Sequence, residues 1–281
     1  MEHAKQVAAM LEEPSLPVIL ADNVADYYFK DTGQEDWNIP QHFPNIAPPF
    51  TQFWVEHRMP TVIHSDKHGD TETHMVNGRV GVLVTAAGPD QVKAVGGPIH
   101  PDTKWILMFE LFLDYGRARP GIEGPQGSMF MQVDATGVLL ERPWMQSFHG
   151  PGTPNEVMQS LITWTYPVLL TMTFLHCKNV SMVDNRVEKP LAKKWHTKTG
   201  QWPTQYKTLI IEPRKQILRT KGGSGQNGLA KAMHICRGHF ADYTEGRGLF
   251  GKYHGKFWIP QTIRGSKKDA DAPAREIVVK L

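Results

Sequence analysis

The sequence predicts an α+β protein: a β-rich N-terminal part packed on one long buried helix and followed by a small basic β module. Three observations point there. Residues 1–150 hold apolar runs with the Val, Ile and Phe content of strands, among them GRVGVLVTAA (78–87), KWILMFELFLDYG (104–116) and SMFMQVDATGVLLER (128–142). Val157 to Cys177 is a 21-residue stretch with no charged side chain. Charge also divides along the chain: residues 1–150 carry 10 Lys and Arg against 19 Asp and Glu, residues 151–281 carry 21 against 9, and the whole has a net charge of +3.

Taken in order, HAKQVAAMLEE (3–13) reads as a short amphipathic helix that stops before Pro14. FTQFWVEHR (50–58) alternates apolar and polar residues, as a half-buried strand does. TVIHSDKHGDTETHM (61–75) is polar and reads as a loop or hairpin connection. The apolar runs follow, with Asp134-Ala-Thr-Gly137 as a tight turn between two strands. The first 150 residues thus read mainly as antiparallel sheet, although the Leu, Met and Glu of 104–116 also suit a helix. Thr153-Pro154-Asn155-Glu156 is a helix start: Thr153 can cap, Pro154 fits the first turn and Glu156 completes a capping box. That helix should run to about Leu175, kink at Pro167 and lie between sheet layers, because it has no charged face. NVSMVD (179–184) and TLIIEP (208–213) are short strands, and RTKGGSGQNG (219–228) is a linker. AMHICRGHFADYT and GKFWIPQTIRG form two strands around a glycine-rich turn. The division into 1–150 and 151–281 is a charge boundary rather than a linker, so both parts are compatible with one shared core.

Composition sets further bounds. Hydrophobic content of 40% with 21% charged residues excludes wholesale disorder. Two cysteines, Cys177 and Cys236, form no disulfide framework, and the N-terminus has no secretory pattern, so a reducing, cytoplasmic setting is expected. The uncharged stretch is long enough to span a bilayer. It also contains Gln159, Ser160, four threonines and Pro167 without a stop-transfer pattern, which reads as a buried helix rather than a membrane span.

Three constellations could carry chemistry. The first is metal binding. His234-x-Cys236-x-x-His239 with His254 offers zinc-type ligands at a spacing that fits no standard zinc pattern. His64, Asp66, His68, Asp70 and His74 would suit a divalent cation if they shared a strand face, but the neighbouring Lys67, Gly69 and threonines suit a solvated loop. The sequence favours no metal and leaves that second cluster open. No cofactor is expected, since the glycine-rich linker lacks the Gly-Lys-Ser/Thr ending of a phosphate loop.

The second is acid/base catalysis. His234 and His239 as acid and base, Arg237 and Arg264 on phosphate, and Tyr243 as an orienting hydroxyl are the groups needed to cleave RNA without metal. The bland alternative is turn histidines and paired arginines. The third is nucleic-acid binding. Lys193, Lys194, Lys198, Lys207, Arg214, Lys215, Arg219 and Lys221 interleave with Trp195, Trp202 and Tyr206, which supplies cations for phosphates and flat rings for bases. The alternative there is that the rings are core and the lysines a solvated face.

The C-terminal third also resembles a family of uncharacterised phage and prophage-type bacterial proteins. The shared features are Lys178-Asn179-Val180, Tyr206, Leu209, Pro213, His234, Arg237, Gly238, His239, Phe240, Tyr243, Leu249-Phe250-Gly251, Gly255, Trp258, Arg264 and Gly265. The resemblance implies a phage or mobile-element setting and brings no activity. His254 is outside the shared pattern, and no zinc site goes with it.

The leading expectation is a phage-associated nucleic-acid-binding protein with single-stranded RNA or DNA as partner, the C-terminal hairpin as its active or contact surface, and metal-independent nuclease activity as one form of it. The alternative is a non-enzymatic protein that binds a host or phage protein, or assembles with itself.

Overall fold

The apolar-rich runs of the first 150 residues, read against the uncharged stretch 157–177, call for a sheet with at least one fully covered face. The computed structural model describes residues 7, 9–11, 13, 16–31, 43–67, 70–92, 99–114, 122–125, 127–148, 153–200, 202–211, 234–236, 239–249, 251–259 and 262–264. It has an α+β fold whose largest element is a mixed nine-stranded sheet. The chain divides into two compact units, one of residues 1–173 and 182–209, the other of 174–181 and 210–281. The first holds 16 Lys and Arg against 22 Asp and Glu and the second 15 against 6, so the basic excess lies in the second.

The sheet is built from β1 (Val18–Leu20), β2 (Gln52–Lys67), β3 (Asp70–Ala87), β4 (Trp105–Asp114), β5 (Ile122–Glu123), β6 (Gly127–Val133), β7 (Trp144–Phe148), β8 (Val180–Asn185) and β9 (Tyr206–Ile211). Its spatial order is β7-β6-β4-β3-β2-β1-β9-β8, with β5 beside β4. The β2-β3-β4-β6-β7 part is antiparallel, as the sequence predicts. The three-residue β1 is parallel to both its neighbours. Helix α1 (Asp22–Asp31) follows it directly, and neither element is signalled by a long apolar run.

Register decides which side chains meet. Phe53, Val84, Phe109 and Met129 form one rung across four strands, and all four are completely buried. On the opposite face Val18, Trp54, Leu83 and Phe112 cluster with Val7, and half-buried Tyr206 packs against them. Gly81 lies on the same face, and glycine is required there because a Cβ would clash with the Trp54 ring. Arg58 and Arg79 are direct cross-strand partners, an arrangement that repels unless a counter-charge intervenes. Asp22, in the first turn of α1, accepts the Arg58 backbone N–H at 2.9 Å and pairs with both guanidinium groups, while Arg79 also pairs with Glu56. The start of α1 is tied to the sheet again by Asn23, whose amide donates to the Leu209 carbonyl at 3.1 Å.

The helix that carries the uncharged stretch forms where its start signal places it, as α2 (Pro154–Leu175). Its polar groups are satisfied internally: the buried hydroxyls of Thr165, Thr171 and Thr173 donate to the carbonyls of Leu161, Pro167 and Leu169. Tyr166 stacks on Phe43 and meets Tyr28 of α1, so in the first unit one sheet face and α1 cover the helix where two sheet layers were expected. Pro167 has no N–H to give the helix ladder. Close by, the completely buried ring of His57 in β2 brings Nε2 within 3.1 Å of the Trp164 carbonyl oxygen and Nδ1 within 3.0 Å of the Arg58 carbonyl oxygen. Carbonyls only accept, so a neutral ring with one N–H satisfies one of these contacts at a time.

Of residues 61–75, expected as a loop or hairpin connection, 61–67 and 70–75 are strand, while 68 and 69 lie outside the described residues. The β2–β3 ladder continues unbroken to the Lys67–Asp70 pair, nine pairs past Arg58–Arg79, and β4 pairs with β3 no further than Arg79. Backbone pairing runs the length of this ribbon while its sequence stays largely polar, which is why its composition reads as a loop.

In the second unit β10 (His234–Cys236) pairs with β13 (Thr262–Arg264), and β11 (His239–Asp242) with β12 (Lys256–Ile259). Phe174, Phe240 and Trp258 make its aromatic centre, with centroids 4.6–5.5 Å apart. Burial pushes the Cys177 thiol up to about 12, so it is an inert core residue.

Burial lowers the imidazole pKa of His57 from its ordinary value. The unfolded chain therefore takes up this proton at higher pH than the fold does. Stability from the neutral ring should be complete above about pH 6.5 and be lost below it, by up to about 1.4 kcal/mol per pH unit. Urea midpoints measured between about pH 5 and about pH 8 should fall on the acid side, and His57→Gln should remove this part of the slope.

Candidate nucleic-acid interface

In the segment EKPLAKKWHTKTGQWPTQYK, Lys189–Thr199 form a helix, α3, and residues 202–205 lead into β9. Pro190 sits in its first turn. Gly200 ends it at φ 75°, with its N–H donating to the His196 carbonyl. The Thr197 and Thr199 hydroxyls donate to the carbonyls of Lys193 and Trp195. None of its residues is buried. Helices of this length owe most of their stability to packing, so a helix that packs so little on its own protein is unusual.

Its surface is specific. Leu191, Lys194, Trp195 and Lys198 follow the three- and four-residue spacing of one helical face. Leu191 is 61% and Trp195 53% exposed. Trp202, 60% exposed, lies beyond the helix and stacks on the His196 ring with centroids 4.3 Å apart and planes at 25°. Lys189, Lys193, Lys194 and Lys198 are exposed, and α3 contains no acidic residue.

The other residues of this group have different surroundings. Tyr206 is half-buried against the Trp54 cluster, and Lys207 pairs with Asp184. That pair, through the hydrogen bond first and the charge second, holds the Asp184 carboxyl below its ordinary range. Arg214, Lys215, Arg219 and Lys221 lie outside the described residues. Sequence reading missed α3 itself, and with it Leu191 and the His196 stack; Pro190 and Gly200, eleven residues bounded by start and stop signals, could have revealed it.

For the hairpin, His234 is the direct cross-strand partner of Arg264 and Cys236 that of Thr262. Their side chains, and Arg237 altogether, lie outside the described residues. His239 is exposed and sits opposite Ile259. Tyr243 is half-buried: its backbone N–H donates to the Gly255 carbonyl and its ring meets Phe257 edge-on. Asp242 caps the following turn through the Thr244 N–H and hydroxyl, which hold its carboxyl below the ordinary range. Asn179 closes the hairpin against the end of α2, its amide donating to the Trp258 carbonyl while its oxygen accepts the Trp258 N–H, both at 3.0 Å.

The second cluster of ligand-type residues does not lie on one strand. His64 pairs with Thr73, His74 with Ile63 and Asp70 with Lys67, so His64 and Asp66 take one parity of the ladder and Asp70 and His74 the other. His68 lies outside the described residues, as do the side chains of the other four. Among the described residues no group of three or more His, Cys, Asp or Glu is placed to hold a metal ion, and no helix is long and apolar enough to cross a membrane. No family model, no curated protein and no solved structure matches this chain.

Asn179→Ala should cost the hairpin about 1–3 kcal/mol, because it removes both hydrogen bonds to the Trp258 backbone. Hydrogen exchange of the Trp258 amide should accelerate accordingly, and unchanged protection would show that this side chain does not hold the strand.

Proposed function

We propose that the chain binds nucleic acid through α3 and its flanking residues. One observation carries this: a helix without acidic residues or a buried side chain presents Lys189, Lys193, Lys194 and Lys198 together with exposed aromatic rings. Cations follow a phosphate backbone while rings take up bases. The second unit by itself, with 15 Lys and Arg against 6 Asp and Glu, has the charge to attract a polyanion, while α3 belongs to the first unit, which holds 16 against 22. The phage or mobile-element setting rests on the C-terminal resemblance alone.

A second reading, metal-independent RNA cleavage, is favoured by the His234–Arg264 rung and by exposed His239 on the strand that follows. The third, a protein that docks on another protein, uses the same exposed tryptophans and needs no polyanion.

Binding to single-stranded DNA or RNA should weaken steeply with salt. Lys193, Lys194 and Lys198 together should contribute about −2 to the slope of log K against log salt. Replacing all three by Ala should flatten the slope by that amount, and an unchanged slope would remove α3 from the contact. No binding at low salt would favour the protein-docking reading. If the hairpin cleaves RNA, labelled strands should be cut in the presence of chelator, and His239→Ala should slow the cut about 10²–10⁴-fold. Intact strands after long incubation would reduce the hairpin to a folding element.

A further inference from the structure

We infer that Trp195 and Trp202 form a stacking platform for unpaired bases, which makes single strands, not duplexes, the ligand of this surface. The inference rests on the nucleic-acid reading above and adds which groups do the recognising.

The two rings differ in how they are held. Trp202 lies flat on His196, so one of its faces is occupied and the ring is oriented before any ligand arrives. With 60% of the residue exposed, much of the ring remains open to solvent. Trp195 projects from the helix within one turn of Lys194 and Lys198. An exposed ring with an ammonium group beside it offers the two contacts a single nucleotide needs: a π-face for the base and a charge for its phosphate. A duplex hides its base faces in the stack, so it could use the lysines and leave both rings wet. Tyr206, the third ring of the segment, is half-buried on the sheet and is not part of the platform.

Charge complementarity selects a polyanion over a neutral protein groove, since no acidic residue interrupts α3. A lysine-bearing helix with Leu191, Trp195 and Trp202 exposed also resembles a helix that lies on an anionic bilayer, so vesicles belong in the test.

The experiment is a titration of the full chain, read by tryptophan quenching and by anisotropy. The probes are oligo(dT) and oligo(U) of about 15 nucleotides, a duplex of the same length, heparin, and phosphatidylserine-containing vesicles. Single strands should quench the fluorescence and bind at least about tenfold more tightly than the duplex, while heparin should bind without a base-stacking quench. Trp195→Ala and Trp202→Ala should each weaken single-strand binding by roughly 5- to 100-fold and leave heparin binding unchanged. Trp202→Phe, which keeps a ring on His196, should restore part of the loss. Both residues are exposed, so the variants should keep the parent's unfolding midpoint, which is measured alongside. If the Ala variants bind single strands as the parent does, the platform is overturned and the nucleic-acid reading stands. If no polyanion binds at low salt, both fall. Binding confined to the vesicles would replace the platform with a membrane-surface helix.

Discussion

The stretch from Val157 to Cys177, most of it helix α2, carries no charge and has to be largely covered, and the first unit is arranged around that constraint. Burial on this scale is tolerable only if every polar atom taken inside has a partner. The threonines meet it by bonding back to their own helix, and His57 brings the sheet's contribution to the Trp164 carbonyl. The apolar rung Phe53–Val84–Phe109–Met129 belongs to the same strand parity as His57 and Val80, the parity on which this contact is made. Asp22 then settles the crowding of Arg58 and Arg79 on the other parity, and the turn from β1 into α1 is fixed in passing.

Much of this could be read from the residues, and the rest was hidden for physical reasons. The start signal Thr153-Pro154-Asn155-Glu156 marked the point where α2 begins, because proline's fixed φ and local capping preferences act without help from the rest of the fold. Asp134 closes its turn as expected, accepting from the Thr136 and Val138 backbones. WILMFELFLD (105–114) is a strand despite its helix-forming Leu, Met and Glu, since its neighbours β3 and β6 supply both edges. The β2–β3 ribbon gave no such clue, as ladder bonds involve only the backbone and leave composition free.

The candidate interface was legible as chemistry and illegible as structure. Lysines interleaved with tryptophans pointed to a polyanion whatever their conformation. The helix that carries them stayed hidden, because hydrophobic periodicity reports a face turned to a core and α3 has no such face. The same logic removes Tyr206 from the set of free rings: only the fold shows that its ring already has a place in the Val18–Trp54 cluster. For the histidine hairpin, register is a property of two distant segments, so the His234–Arg264 pairing could not be read from either alone.

The position of β1 has a temporal meaning. It lies between β2 and β9, and its register partner Lys207 is about 190 residues further along the chain than Ile19. At roughly 5–20 residues per second, a ribosome takes some ten to forty seconds to deliver that partner. Over that interval the nascent sheet offers a bare, parallel-seeking margin beside its most apolar rungs, and other chains at the same stage carry the same margin. The β1–β9 pairing is therefore among the last contacts of the sheet that synthesis allows to form.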